Sequence, residues 1–216
     1  MIIAIDGPAG AGKSTVSLRL AKRLGFIRLD TGALYRVVGL ACTRSAVAAD
    51  APNLGAFVSG LDIGFLDDRV LLDGDDVSEV IRSPEISVAA SKYAARPAVR
   101  AALLELQRRI ARRHDSVVDG RDIGTVVFPN AEVKIFLTAD ASARAQRRCA
   151  ELHSRGIEAV YGDVLADIEA RDRADTERAV APLREAEDAI RVDATAMGIK
   201  AVVDRCVEIV SASRPR

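Results

Sequence analysis

Eight residues near the amino terminus carry the clearest chemistry. Gly7-Pro8-Ala9-Gly10-Ala11-Gly12-Lys13-Ser14 fits G-x-x-x-x-G-K-[ST] at every fixed position. Glycines at this spacing let the backbone curl so that its N–H groups point inward at phosphate oxygens. A helix that follows adds the positive end of its dipole. Lys13 then reaches the outer phosphates, the Ser14 hydroxyl ligates Mg²⁺, and Thr15 offers a second hydroxyl to the α-phosphate. A glycine-rich turn matches such a pattern by chance on the order of once in a hundred chains of this length, so context decides. An apolar run, Ile2–Asp6, precedes the motif. Helical periodicity follows it through Val16, Leu20 and Leu24, and stops at Gly25. The pattern predicts nucleoside triphosphate binding over Gly7, Pro8, Ala9, Gly10, Ala11, Gly12, Lys13, Ser14 and Thr15, with Lys13 also acting in catalysis.

Asp119 closes another apolar run, Ser116-Val117-Val118. A carboxylate at such a strand end can hold Mg²⁺-bound waters beside the phosphates, so Ser14 and Asp119 are the candidate metal residues. The alternative for Asp119 is an exposed aspartate in the turn before Gly120. Phosphoryl transfer also needs cations on developing charge and two substrates held in line, which directs attention to arginines. Three groups stand out. In Asp30-Thr31-Gly32-Ala33-Leu34-Tyr35-Arg36, Thr31 caps a helix and Arg36 lies one turn in; an ordinary cap followed by a surface arginine reads equally well. In Asp119-Gly120-Arg121-Asp122-Ile123-Gly124-Thr125, two glycines flank an Arg-Asp pair just past a buried strand, which suits a binding loop better than a solvated turn. Arg171, Asp175 and Arg178 share one helix face at i, i+4, i+7, as an exposed salt-bridge ladder also would. No general base stands out: His114 and His153 lie in polar helical stretches with no partner pattern, and Cys206 among valines reads as core.

These residues need elements to hold them. The 216 residues suffice for one sizeable α/β domain with a small insert. Apolar runs at Ile2–Asp6, Phe26–Leu29, Ser116–Asp119, Val133–Leu137 and Ala189–Val192 alternate with helical segments at Lys13–Leu24, Tyr35–Val47, Pro97–Arg113, Ser142–Ser154, Val160–Asp175 and Ile199–Ala212. That alternation predicts a doubly wound, five-stranded parallel sheet. Between Asp62 and Val80 short apolar runs are punctuated by Asp67-Asp68 and Asp73-Gly74, the pattern of a small antiparallel hairpin unit, and a helix follows over Pro84–Ala94. The expected organisation is a core over 1–47 and 97–216, with an insert over 48–96.

Lys plus Arg number 31 and Asp plus Glu 31, and zero net charge argues against a broad nucleic-acid surface. Cys42, Cys149 and Cys206 lie far apart and match no metal or redox spacing, which fits a reducing, cytoplasmic compartment. The apolar start ends at Asp6-Gly7, too short for a signal-peptide core, and no apolar run reaches membrane-spanning length.

Taken together the motifs resemble bacterial cytidylate kinases, of the nucleoside monophosphate kinase group of P-loop kinases. The resemblance runs over nearly the whole chain. It rests on Ile5–Ser14, Asp30–Arg36, Ala90-Ser91 followed by Pro97-Ala98-Val99-Arg100, Asp119–Pro129, and Arg178-Ala179-Val180-Ala181-Pro182-Leu183. It implies a P-loop core, a monophosphate-binding insert carrying a small antiparallel sheet, and a short arginine-bearing helical lid at about 155–180. It implies transfer of the γ-phosphoryl of ATP to CMP or dCMP with Mg²⁺, in pyrimidine nucleotide metabolism, by a cytoplasmic monomer that binds no nucleic acid and no membrane. In the family, positions such as Thr31, Arg36 and Arg121 hold the acceptor phosphate, with Tyr35 in the same block. Positions such as Ser91, Arg100, Asp122 and Arg178 face the base, and Arg171 and Asp175 the sugar. Arg147, Arg148 and Arg171 border the transferring group, so the catalytic set is Lys13, Arg121, Arg171, Arg147 and Arg148. Thr31 stands where some members have Ser, and Asp172-Arg173-Ala174-Asp175 is less charged than in some relatives. The competing readings are another small-acceptor P-loop kinase (UMP/CMP or shikimate-like) and a nucleotide-dependent switch. The Asp62–Val80 unit counts against a shikimate-type kinase, and no guanine-reading motif supports a switch.

Overall fold

A computed structural model describes residues 1–66, 69–154 and 156–213. The chain divides into two compact units, Met1–Leu29 with Ala111–Arg216, and Asp30–Ile110.

The first unit is built on a five-stranded parallel sheet, in the order β2-β6-β1-β7-β8. Its strands are β1 (Ile2–Asp6), β2 (Ile27–Asp30, whose last residue opens the second unit), β6 (Ser116–Gly120), β7 (Val133–Thr138) and β8 (Ile190–Asp193). β1 is central because it is apolar on both faces: Ile3, Ala4 and Ile5 are all fully buried. β1 and β6 run in register, with Ile5 opposite Asp119 and Asp6 opposite Gly120, so both strands end together at the phosphate loop. Helix α1 (Lys13–Leu24) and helix α8 (Ile199–Ala212) cover the sheet. Val16, Leu20 and Ala21 of the first and Val202, Val203, Cys206, Ile209 and Val210 of the second join one core with Ile3, Ile5, Ile135 and Leu137. The spacing of those residues is the helical period, which is why each helix buries one stripe. Burial pushes the Cys206 thiol up to about 12, so it is an inert part of that core. Two more helices, α6 (Ala141–Ser154) and α7 (Tyr161–Glu177), pack on each other.

The second unit holds α2 (Thr31–Arg44), α3 (Leu54–Ser59), a three-stranded antiparallel sheet of β3 (Ile63–Leu66), β4 (Arg69–Leu72) and β5 (Asp75–Asp76), a 3₁₀ turn at Val80–Arg82, α4 (Pro84–Ala94) and most of α5 (Pro97–Ala111). The expected hairpin turn at Asp67-Asp68 lies outside the described residues. α2 and α4 pack closely: a side chain on Gly39 would bring its Cβ to 2.9 Å from the Ala90 backbone nitrogen. The Asp30–Ile110 unit is wider than the insert expected over 48–96, because this packing ties α2 to the elements that follow it.

Local differences from the expectations have local causes. α2 begins at Thr31, earlier than Tyr35, because the Asp30 carboxylate accepts the Ala33 N–H at 3.0 Å and caps it. Thr31 is therefore the first helical residue, not the cap. α3 opens the region expected as the insert, ahead of its antiparallel strands. Ile123–Val127 forms one turn of π-helix.

Candidate phosphate and acceptor site

Residues 7–12 form the loop between β1 and α1. Gly7 takes φ 149°, and a Cβ there would sit 1.9 Å from the Leu137 carbonyl oxygen, so only glycine passes this point of the sheet. Gly10 and Gly12 take φ 75° and 93°, the left-handed conformations that turn successive amides toward one centre. Lys13 is buried, and its Nζ donates to the Gly7 and Pro8 carbonyls, both at 2.8 Å, which wraps the side chain along the loop. Burial first, then the charge of Arg121, pull the Lys13 ammonium well below the ordinary lysine range; Asp119, Asp175 and Asp6 oppose them. Those influences place Lys13, Arg121, Asp119, Asp175 and Asp6 in one electrostatic neighbourhood.

Asp119 is 3% exposed. Its Oδ1 accepts from Ser17 Oγ at 2.6 Å and Arg28 Nε at 3.1 Å, and its Oδ2 lies 3.5 Å from Ser14 Oγ. Mg²⁺ is commonly held by one or two oxygen side chains, substrate phosphates and water. A hydroxyl and a fixed carboxylate at this spacing fit such an ion. Among the described residues no cluster of three His, Cys, Asp or Glu side chains could hold a metal by itself.

Beyond β6, Arg121 Nε donates to Asp175 Oδ2 at 2.6 Å, and Arg178 reaches Asp122 Oδ1 at 3.1 Å and Asp175 Oδ1 at 4.0 Å. The structure thus links Arg121, Asp122, Asp175 and Arg178 in one alternating chain of charge. Asp122 is 4% exposed, and its side chain points to Arg178. Arg171 is exposed on α7. On α6, Arg147 donates to the Ala194 and Thr195 carbonyls, and Arg148 pairs with Glu151 at 2.8 Å.

The second unit carries the other acceptor candidates. Thr31 is buried and Arg36 half-buried on the first turns of α2. The Arg100 guanidinium, on buried Arg100 of α5, stands 5.6 Å over the Tyr35 ring, a cation–π contact that fixes both side chains. Ser91 is exposed on α4, its hydroxyl donating to the Ser87 carbonyl at 3.2 Å.

Four residues of the site were not singled out from sequence. Ser17 and Arg28 orient Asp119, and no motif marks them. Arg144 is buried: it donates to the Ala9 carbonyl of the loop at 2.8 Å and forks onto Asp172 of α7 at 3.1 and 2.6 Å. Nothing separates it in sequence from Arg147 and Arg148 on the same helix. Asp6 accepts the Ile123 and Gly124 N–H groups at 2.8 and 2.7 Å. Burial, reinforced by Asp122, raises its pKa to about 6 against those donors and Lys13. Its place at a strand end beside the loop is the one signal that could have drawn attention to it.

A parallel sheet that delivers a glycine-lined loop, a lysine, a hydroxyl and a strand-end carboxylate to one edge is the architecture of a P-loop kinase. The profile of the family described as "Cytidylate kinase" matches residues 3–212, and the chain belongs to that family. It is 49% identical over 216 residues to the cytidylate kinase of Syntrophotalea carbinolica, covering 98% of this chain and 92% of that one. It is 49% identical to that of Thermosipho melanesiensis (96% and 95% covered) and 46% identical to that of Pasteurella multocida (97% and 95% covered).

Proposed function

We infer that the chain transfers the γ-phosphoryl group of ATP to CMP or dCMP, giving ADP and CDP or dCDP. The observation that carries this is full-length membership of the cytidylate kinase family in a chain whose phosphate loop, Lys13, Ser14 and Asp119 are assembled at one sheet edge. An acceptor phosphate oxygen forms the new bond to the γ-phosphorus while the β–γ bridging bond breaks, and its electron pair leaves with ADP. A phosphate monoester already carries close to two negative charges at neutral pH, so this nucleophile needs no general base. That accounts for a site rich in arginine and without a histidine.

The loop amides and Lys13 hold the triphosphate. Ser14 and Asp119 hold Mg²⁺, which when bound neutralises phosphate charge. Arg36, Arg121 and Thr31, with Tyr35 beside them, bind the acceptor phosphate. Ser91, Arg100, Asp122 and Arg178 read the base, and Arg171 and Asp175 the sugar. Arg147, Arg148 and Arg171 take up charge on the transferring group. Cytosine presents an amino donor beside acceptor atoms, and Asp122 is the buried acceptor that matches the donor. Uracil sets a carbonyl oxygen against that carboxylate in place of the amino donor, at a cost of about 1–3 kcal/mol or more. The protein acts as a cytoplasmic monomer; no described helix is long and apolar enough to cross a membrane. A coupled assay across CMP, dCMP, UMP, AMP and shikimate tests the assignment. CMP and dCMP should turn over at least roughly tenfold more efficiently than UMP, with AMP and shikimate near background. Equal use of UMP, or preferred use of shikimate, would overturn it.

A further inference from the structure

The turn that carries Arg121 and Asp122 is capped from outside itself. Ile123–Val127 is closed by bonds from the Val126 and Val127 N–H groups to the Asp122 carbonyl, at 2.9 and 3.1 Å. The first N–H groups of a helical turn have no partner inside it, and an aspartate in the preceding position ordinarily supplies one from its own side chain. Asp122 holds that position yet makes no capping bond; its Oδ1 receives Arg178 instead. The orphan donors, Ile123 N and Gly124 N, go to the two oxygens of Asp6. Asp6 is 5% exposed, ends β1, and is followed by Gly7 of the phosphate loop. A Cβ on Gly124 would lie 3.1 Å from the Lys134 side chain and in van der Waals contact, at 3.4 Å, with Asp6 Oδ2.

We propose that Asp6 is a positioning residue for the acceptor site: by capping the Ile123–Val127 turn it releases the Asp122 carboxylate from that task and keeps it directed to Arg178 and the acceptor base. Without the Asp6 carboxylate, these two N–H groups lose their partner, and the carboxylate of Asp122, in the N-cap position of the same turn, becomes the side chain placed to accept them. Asp122 would then fold back on its own turn and leave Arg178. Asp6 makes no contact with substrate in this role. The inference rests on the assignment of Asp122 to the acceptor.

The test is a double-mutant cycle in the full-length enzyme, with KM for CMP and for ATP measured separately in Asp6→Ala, Asp122→Ala and the double variant. Asp6→Ala should raise KM for CMP about tenfold with KM for ATP within about twofold, and should add less than about twofold once Asp122 is already alanine. Asp6→Asn, which keeps one acceptor oxygen, should lie between wild type and Asp6→Ala. Additive effects, or equal rises in the two KM values, would show that Asp6 does not act through Asp122. If Asp122→Ala impairs CMP and Asp6→Ala does not, the positioning role alone fails. If Asp122→Ala leaves CMP kinetics unchanged, the base assignment fails and takes this inference with it. Failure of both Asp6 variants to fold would mean that the carboxylate holds the fold rather than the site, which also overturns the proposal.

Discussion

Asp6 shows how much one buried carboxylate can carry in this enzyme. Its pKa stands at about 6, against 3.8 for an ordinary aspartate, because burial outweighs two backbone N–H donors. Between those values the folded chain binds a proton that the unfolded chain has lost. Stability from this group is therefore complete below about pH 4 and declines as pH rises toward 6 and beyond, by about 3 kcal/mol in all. An Asp6→Asn variant does not titrate there. The difference in unfolding free energy, wild type minus variant, should fall by that amount between pH 4 and 7 in urea titrations. A difference that is flat or rises with pH would contradict the assigned shift. The neighbouring residues divide by how they could be recognised. Lys13, Ser14 and the three loop glycines are legible because a phosphate loop requires those types at that spacing. Asp6, Arg28 and Arg144 are not, because each acts through a partner far away in sequence: Asp6 on Ile123, Arg28 on Asp119, Arg144 on Ala9 and Asp172.

At the scale of elements, the helices are legible where periodicity or an end signal marks them, α7 included, which is expected over Val160–Asp175 and spans Tyr161–Glu177. α1 spans Lys13–Leu24, as periodicity and Gly25 predict, and α4 follows the Pro84 signal. The π-turn at Ile123–Val127 has no such signature. Glycine and β-branched residues disfavour helix, and the turn stands because β1 supplies its cap. α7 is the other informative case. Ile168 is its one buried residue, so few apolar contacts hold it. It is fastened by Asp172 to Arg144, Asp175 to Arg121, and the Leu183 N–H to the Asp175 carbonyl at 2.8 Å. An element secured this way opens more readily than one buried in a core. Amides of residues 161–177 should exchange faster than those of α8, and slow when ATP and CMP are both present. Arg144→Met should speed exchange in α7 about tenfold by leaving Asp172 unpaired. Amides in α7 as protected as those of α8 without nucleotide would rule out a mobile lid.

For the whole molecule, alternation of strands and helices made the parallel sheet legible but not its order. β1, first in the chain, lies third in the sheet, because its side chains are apolar on both faces while β8 alternates and ends the sheet. The two units divide the proposed function unevenly: Arg121, Asp122, Arg171, Asp175 and Arg178, proposed for the acceptor, lie in the same unit as the phosphate loop. Every residue proposed for ATP and Mg²⁺, from Gly7 to Thr15 with Asp119, falls in the unit of Met1–Leu29 and Ala111–Arg216, whereas Thr31, Tyr35, Arg36, Ser91 and Arg100 fall in Asp30–Ile110. The two substrates should accordingly be separable by mutation. Arg36→Ala removes a charge proposed for the acceptor phosphate. Charge-assisted bonds of this kind contribute about 1.5–3 kcal/mol, so the affinity for CMP should fall by roughly ten- to a hundredfold. ATP binds the folded state as before, and at a hundred times its Kd it should still stabilise the variant by about 2.7 kcal/mol. Calorimetric binding of each nucleotide alone, with thermal unfolding at saturating ATP, measures both quantities. Loss of ATP stabilisation in step with loss of CMP affinity would show that Arg36 serves the triphosphate as well.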